Sequence, residues 1–216
     1  MHFTIKNLET IKEEVKLNVK SDHLPKIIAV SKTFAIEKIK PLIEYGHKHF
    51  GENKVQEAKN KWMDIKKKRS DISLHLIGKL QSNKVNQAIE IFDYIHSVDN
   101  KKLAKKIAEA EVKKNKKLKL FLQVNLASEE QKSGVSVEGL SDLVNFCCES
   151  KLDVQGLMCI PPLNENSEHY FQKLYQLNNQ YNYKQLSMGM SSDYLNATKY
   201  SSTFLRIGSK IFGERI

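Results

Sequence analysis

Short apolar runs alternate with amphipathic stretches along the whole chain. Clusters of β-branched, aliphatic and aromatic residues predict strands over Lys26–Ser31, His47–Phe50, Ser73–Ile77, Asp93–Ser97, Leu118–Asn125, Asp153–Cys159, Gln185–Met188 and Thr203–Ile207. Between them apolar residues recur at helical spacing: Ile36, Ile39 and Ile43; Leu103, Ala104, Ile107 and Ala108; Leu140, Leu143, Val144 and Cys147; Tyr170, Leu174 and Leu177. A further helix over Leu8–Val19 precedes the first strand. Eight strand–helix units in series with short connections predict an α/β fold, a closed (β/α)8 barrel, with an open doubly wound sheet as the alternative. No low-complexity linker interrupts the series, so residues 1–216 are expected to form a single domain.

Composition narrows this picture. A chain of 216 residues, 40% hydrophobic, can bury one substantial core. No apolar stretch is long enough for a membrane span, and the charged N-terminus does not read as a signal peptide, so a cytoplasmic location without membrane partners is expected. Three cysteines, two of them the adjacent Cys147 and Cys148, make neither a disulfide framework nor a spaced zinc site. The net charge of +10 raises a nucleic-acid-binding module as a remote alternative. The basic clusters at 66–69, 101–106 and 113–117 fall on helix ends or polar helix faces, however, and no nucleic-acid signature accompanies them, so no nucleic-acid partner is expected.

In a parallel barrel the reactive groups gather where the chain leaves the strands. Lys32 ends the first strand, where a desolvated amine could condense with an aldehyde. Gly208 and Ser209 follow the last strand and open a short helix whose backbone N–H groups suit a phosphate. Aldehyde and phosphate together point to pyridoxal 5′-phosphate. His47 and His49, two apart in a predicted strand, share a face but lack a third ligand for a metal, and no metal site is expected. His75 reads as a packed strand residue and not as a general base. Gln81, Asn83 and Lys84 form one polar loop over the barrel mouth, and Lys132 sits on another, Ser128 to Gly134.

Many separate motifs then carry a resemblance. Ala29-Val30-Ser31-Lys32-Thr33, Phe50-Gly51-Glu52-Asn53, His75-Leu76-Ile77-Gly78, Leu80-Gln81-Ser82-Asn83-Lys84, Gln123-Val124-Asn125, Lys132-Ser133-Gly134, Gly156-Leu157-Met158, Leu186-Ser187-Met188-Gly189-Met190-Ser191 and Arg206-Ile207-Gly208-Ser209-Lys210-Ile211-Phe212-Gly213 occur in the order found in the pyridoxal phosphate homeostasis protein family, which the chain resembles over nearly its whole length. The resemblance implies a TIM-type barrel of PLP fold type III, like the N-terminal domain of alanine racemase. It implies vitamin B6 homeostasis without an established reaction.

By the same resemblance Lys32 holds the cofactor as a Schiff base, Ser191, Gly208 and Ser209 hold its phosphate, and Arg206 faces the pyridine nitrogen. Asn53 approaches the ring or its hydroxyl, with a helix N-cap as the competing role. Phe34, Lys54 and Ser192 depart from the residues common in the family at those positions, and Ser209 replaces a frequent threonine. The enzymatic alternative is an amino-acid racemase, which needs an acid/base group on each face of the substrate carbon. In alanine racemase one of these is a tyrosine from a further domain, which this chain, ending at Ile216, is expected to lack. The expected partners are therefore pyridoxal phosphate and candidate apo-enzymes that receive it, and the expected state is a monomer.

Overall fold

The computed structural model describes residues 1–19, 24–127 and 133–214. Eight parallel strands close into a barrel in sequence order: β1 (Lys26–Val30), β2 (His49–Glu52), β3 (Ser73–Leu76), β4 (Tyr94–Val98), β5 (Lys119–Gln123), β6 (Asp153–Met158), β7 (Gln185–Met190) and β8 (Phe204–Ile207). The open-sheet alternative is excluded by the pairing of β8 with β1, in which Lys26, Ile28 and Ala29 oppose Phe204, Arg206 and Ile207. Helices follow the strands: α2 (Ile36–Glu44), α3 (Val55–Lys68), α4 (Val85–Ile91), α5 (Lys101–Lys114), α6 (Val137–Glu149), α7 (Ser167–Gln180), α8 (Tyr194–Thr198) and α9 (Ser209–Phe212), with α1 (Phe3–Asn18) ahead of the barrel.

Two strand boundaries differ from the sequence expectation in ways that matter. β2 begins at His49 and runs through Gly51 and Glu52, so these two are strand residues and His47 lies before the strand. β7 extends to Met190, because the glycine at 189, at φ +91°, can keep pairing through a bulge that an ordinary residue would resist. Helix α1 also starts earlier than expected. The ring of His2 accepts a hydrogen bond from the Thr4 N–H at 3.3 Å, and buried Thr4 anchors a first turn that has little apolar periodicity to announce it.

Side-chain alternation divides the core into two layers. Ile28, Val30, Tyr94, Phe121, Met158 and Phe204 fill the barrel interior, while Phe50, Leu74, Leu76, Ile95, Leu120, Leu122, Leu186 and Leu205 pack outward with the helices. Helix α1 turns Leu8, Ile11 and Val15 inward and covers the final helix, where Asn7 Nδ2 donates to the Ile211 carbonyl at 3.1 Å. The basic clusters lie on helix ends, and much of their charge is locally met: Lys66 on Asp93, Lys114 on Glu90 at 2.9 Å, Lys117 on Glu111 at 2.7 Å. Cys147 and Cys159 are buried free thiols and Cys148 is exposed. Lys132 and the start of its predicted loop lie outside the described residues. Among the described residues no helix is long and apolar enough to cross a membrane, and no cluster of metal-ligating side chains occurs.

Candidate functional site at the barrel mouth

The C-terminal ends of the strands surround one cavity of about 850 Å³. Lys32, Asn53, Ser191, Arg206, Gly208 and Ser209, the six residues singled out in the sequence, all line it. Lys32 stands in the turn after β1 and is half-buried. Its backbone is held from outside the barrel. Lys61 Nζ, on α3, donates at 2.9 Å to the carbonyl of Ser31 and at 2.9 Å to Glu52 Oε1, which also accepts from Ser31 Oγ at 2.7 Å and from Trp62 Nε1 at 2.9 Å. One turn back on the same helix, Glu57 accepts from the Thr33 N–H at 2.6 Å, and this bond with Lys61 beside it draws its carboxyl below the ordinary range against the opposing effect of burial. The residues flanking Lys32 on both sides are thus pinned to α3.

The opposite wall is built by the end of β7 and by the bend after β8. Asp193 Oδ1 accepts the Met190 N–H at 2.6 Å and fixes the turn that presents Ser191. The Ser191 hydroxyl receives long hydrogen bonds from the backbone N–H groups of Gly208, 3.3 Å, and Lys210, 3.4 Å. These N–H groups converge on one point, which is what a phosphate oxygen requires. A Cβ built on Gly208 would stand 3.4 Å from Val30 Cβ, at the floor of the cavity, so glycine keeps that floor open. Lys79 adds a further cation to the lining, with Glu214 the one carboxylate among its described members.

Arg206 is 4% exposed. Its guanidinium donates to Ser187 Oγ at 2.6 Å and to the Cys159 carbonyl at 2.8 Å, and among the described residues no carboxylate pairs with it directly. Asn53 is not the cap of α3, a position taken by Lys54 without a side-chain bond, and it is free to face the cavity. Its backbone is pressed against Gly78, where a Cβ would lie 2.4 Å from the Asn53 carbonyl oxygen.

Other sequence expectations divide. Gln123 and Asn125, which stood only within a longer motif, reach the cavity, as does Lys79, which falls between two motifs, whereas Gln81, Asn83 and Lys84 do not. Of the three unusual positions, Ser192 lines the cavity, Lys54 is exposed, and Phe34 packs on Phe212 with ring centroids 5.1 Å apart. His47 and His49 do not share a face: His47 Nε2 donates to the His49 carbonyl at 2.9 Å, and the His49 ring enters the barrel to meet His75 at 3.0 Å. His75 is, as expected, a packed interior residue.

A cavity at the C-terminal rim of an eight-stranded parallel barrel, with an amine after the first strand and a glycine bend after the last, places the protein among barrels of the alanine racemase N-terminal domain type, and the model of that family matches residues 6–216. A pyridoxal phosphate homeostasis protein of Aquifex aeolicus is 38% identical over 96% of this chain and 95% of its own length, and one from Vibrio cholerae is 37% identical over 88% and 85%. The chain belongs to the pyridoxal phosphate homeostasis protein family. The solved structure of PipY from Synechococcus elongatus with PLP bound superposes with a TM-score of 0.83 at 33% identity, covering 97% of this chain and all of that one. Alanine racemase of Clostridium difficile shares the fold, with a TM-score of 0.73 at 14% identity over 57% of its length.

Proposed function

We propose that this protein binds pyridoxal 5′-phosphate at the barrel mouth and serves its homeostasis as a holder, not as an enzyme. The observation that carries this reading is the convergence of Lys32, Arg206 and the Ser191–Gly208–Ser209 bend on one cavity, a donor set that fits the group: an amine, a fixed cation and a phosphate-sized array of N–H groups. When bound, pyridoxal phosphate supplies an aldehyde that condenses with a primary amine, and Lys32 is that amine. The bend holds the phosphate and discriminates against unphosphorylated vitamers. Arg206, a cation that does not give up its proton, would face the ring nitrogen and disfavour a proton there, which would weaken the ring as an electron sink. Asn53, which lines the same cavity, would steady the ring.

The lining supports holding over turnover, since its described members include neither a tyrosine nor a histidine to act opposite Lys32. In this reading residues 1–216 act as one domain, a cytoplasmic monomer whose clients are apo-enzymes that use the cofactor. Borohydride reduction of the loaded protein followed by peptide mass mapping tests the assignment. A single adduct on Lys32 is expected; an adduct elsewhere, or no retention of the cofactor, overturns it. Stereospecific exchange of an amino-acid α-proton in heavy water at enzymatic rates would overturn the holder reading in favour of a racemase.

A further inference from the structure

Behind Arg206 the barrel core contains a continuous file of polar side chains. Ser187 Oγ lies 2.8 Å from His96 Nδ1, His96 Nε2 lies 2.9 Å from His75 Nδ1, and His75 Nε2 lies 3.0 Å from His49 Nδ1. The file runs through the interior of β7, β4, β3 and β2, from the cavity wall toward the opposite end of the barrel, where His49 borders a second, smaller cavity with Lys26 and His47. Ser187, His96 and His75 are fully buried. Aromatic rings enclose them: His75 stacks on Tyr94 at 4.3 Å, and His96 on Phe121 at 4.5 Å.

Proton bookkeeping gives the file one direction. A guanidinium can only donate, so the Arg206 bond to Ser187 Oγ makes the hydroxyl an acceptor there. Among the described residues the hydroxyl's one other partner is His96 Nδ1, so its own proton goes there, since accepting a second time would leave that proton unpaired in the core. With Nδ1 accepting, a neutral His96 carries its proton on Nε2 and donates to His75 Nδ1. The same rule makes His75 donate from Nε2 to His49 Nδ1. Ser187, His96 and His75 each give one hydrogen bond and take one, so every side-chain polar atom of these three buried residues is matched, and the file ends on His49 Nδ1. Burial pushes His75 and His96 well below the ordinary value of 6.5, which keeps both rings in the neutral form this pattern needs.

We propose that Ser187, His96 and His75 are positioning residues for Arg206, acting as a one-directional hydrogen-bond chain that presents an oriented lone pair to its guanidinium in place of a carboxylate. A carboxylate at Ser187 would neutralise the arginine; a dipole chain holds it while leaving its charge available to the cavity. Aligned hydrogen bonds polarise one another, so the chain fixes the guanidinium more firmly than an isolated hydroxyl would. The consequence for a bound ring nitrogen rests on the function proposed above.

Nitrogen-15 spectra of the histidine rings in the unloaded protein at neutral pH test the direction without a variant. His75 and His96 are both expected in the Nε2–H tautomer; a neutral Nδ1–H ring at either position, or a charged one, overturns the chain. Ser187→Ala, which removes the link, should release His96 from its single tautomer and weaken binding of pyridoxal phosphate about tenfold. It should leave binding of the 1-deaza analogue, which lacks the ring nitrogen, unchanged, and Ser187→Thr should restore the first affinity. Equal weakening for both ligands, or no change for either, overturns the positioning role. Failure of the wild-type protein to bind pyridoxal phosphate would sink the proposed function, while the ring spectra would still decide the chain.

Discussion

Ala29 and Ile207 are register partners across the seam where the first strand meets the last. Three residues beyond Ala29 stands Lys32, and one residue beyond Ile207 stands Gly208. A seam slipped by one residue would turn one of these walls away from the cavity, because alternate residues face opposite sides of the sheet. Chain ends that are remote in sequence therefore share a pocket by register.

Removing the amine separates the two halves of this site. Lys32→Ala should abolish the yellow absorption band of the protein loaded with pyridoxal phosphate, yet keep weaker binding through the bend after β8. Absorbance titration reads the first effect, and competition by inorganic phosphate reads the second. Retention of the band in the variant would remove Lys32 from its proposed role.

Gly208→Ala should cost affinity and little stability. The added Cβ meets Val30 Cβ at 3.4 Å, an ordinary contact, and the backbone at φ −115° suits any residue, so a loss within about 1 kcal/mol is expected in urea unfolding. The same methyl group would occupy the cavity floor beside the bend proposed to hold the phosphate. Binding of pyridoxal phosphate measured calorimetrically should weaken about tenfold or more.

Behind Lys32, the buried pair of Lys61 and Glu52 is expected to be a stability hot spot. The Lys61 side chain is 9% exposed and that of Glu52 fully buried, so Lys61→Ala strands a carboxylate and should cost about 3–5 kcal/mol. Replacing both, as Lys61→Met with Glu52→Gln, should recover much of that loss in denaturant melts. Thr33 and Ser31 would still be less firmly held, and reaction of Lys32 with an aldehyde should slow in both variants.

Stability should fall in mild acid for a reason particular to the core. Burial lowers His47 and His49 to about 4, and His75 and His96 well below 6.5. These groups are neutral when folded and take up protons when unfolded, so the unfolded state binds more protons once the pH drops below about 6.5. The stability they contribute is fully present above that value and declines as the pH falls toward 4. The slope of unfolding free energy against pH near 5 should correspond to about four protons taken up per molecule. A flat profile between pH 5 and 7 would contradict neutral burial of the rings.

Much of the barrel could be read directly from the chain, because a strand buried on both faces must be apolar and a covering helix must be apolar on one side. Lys32, Gly208 and Ser209 were also visible, since each comes just after a predicted strand, whereas Ser191, Arg206 and Asn53 were singled out through the family resemblance. Glu52 and Lys61 were not: a carboxylate at a strand end and one lysine among thirty-five basic residues carry no sign that they meet. Ser187 and His96 were hidden for the same reason, as single polar letters in apolar runs that read equally well as padding.

Local sequence, then, determined the eight strands, their order and the polar residues at their ends, because hydrophobic periodicity and turn chemistry act over a few residues. The closure of β8 on β1, the pinning of Lys32 to α3 and the alignment of His49, His75, His96 and Ser187 behind Arg206 were decided by tertiary structure. Each depends on shear and register around the closed sheet, which set which interior side chains come within hydrogen-bond distance and are not encoded in any one segment.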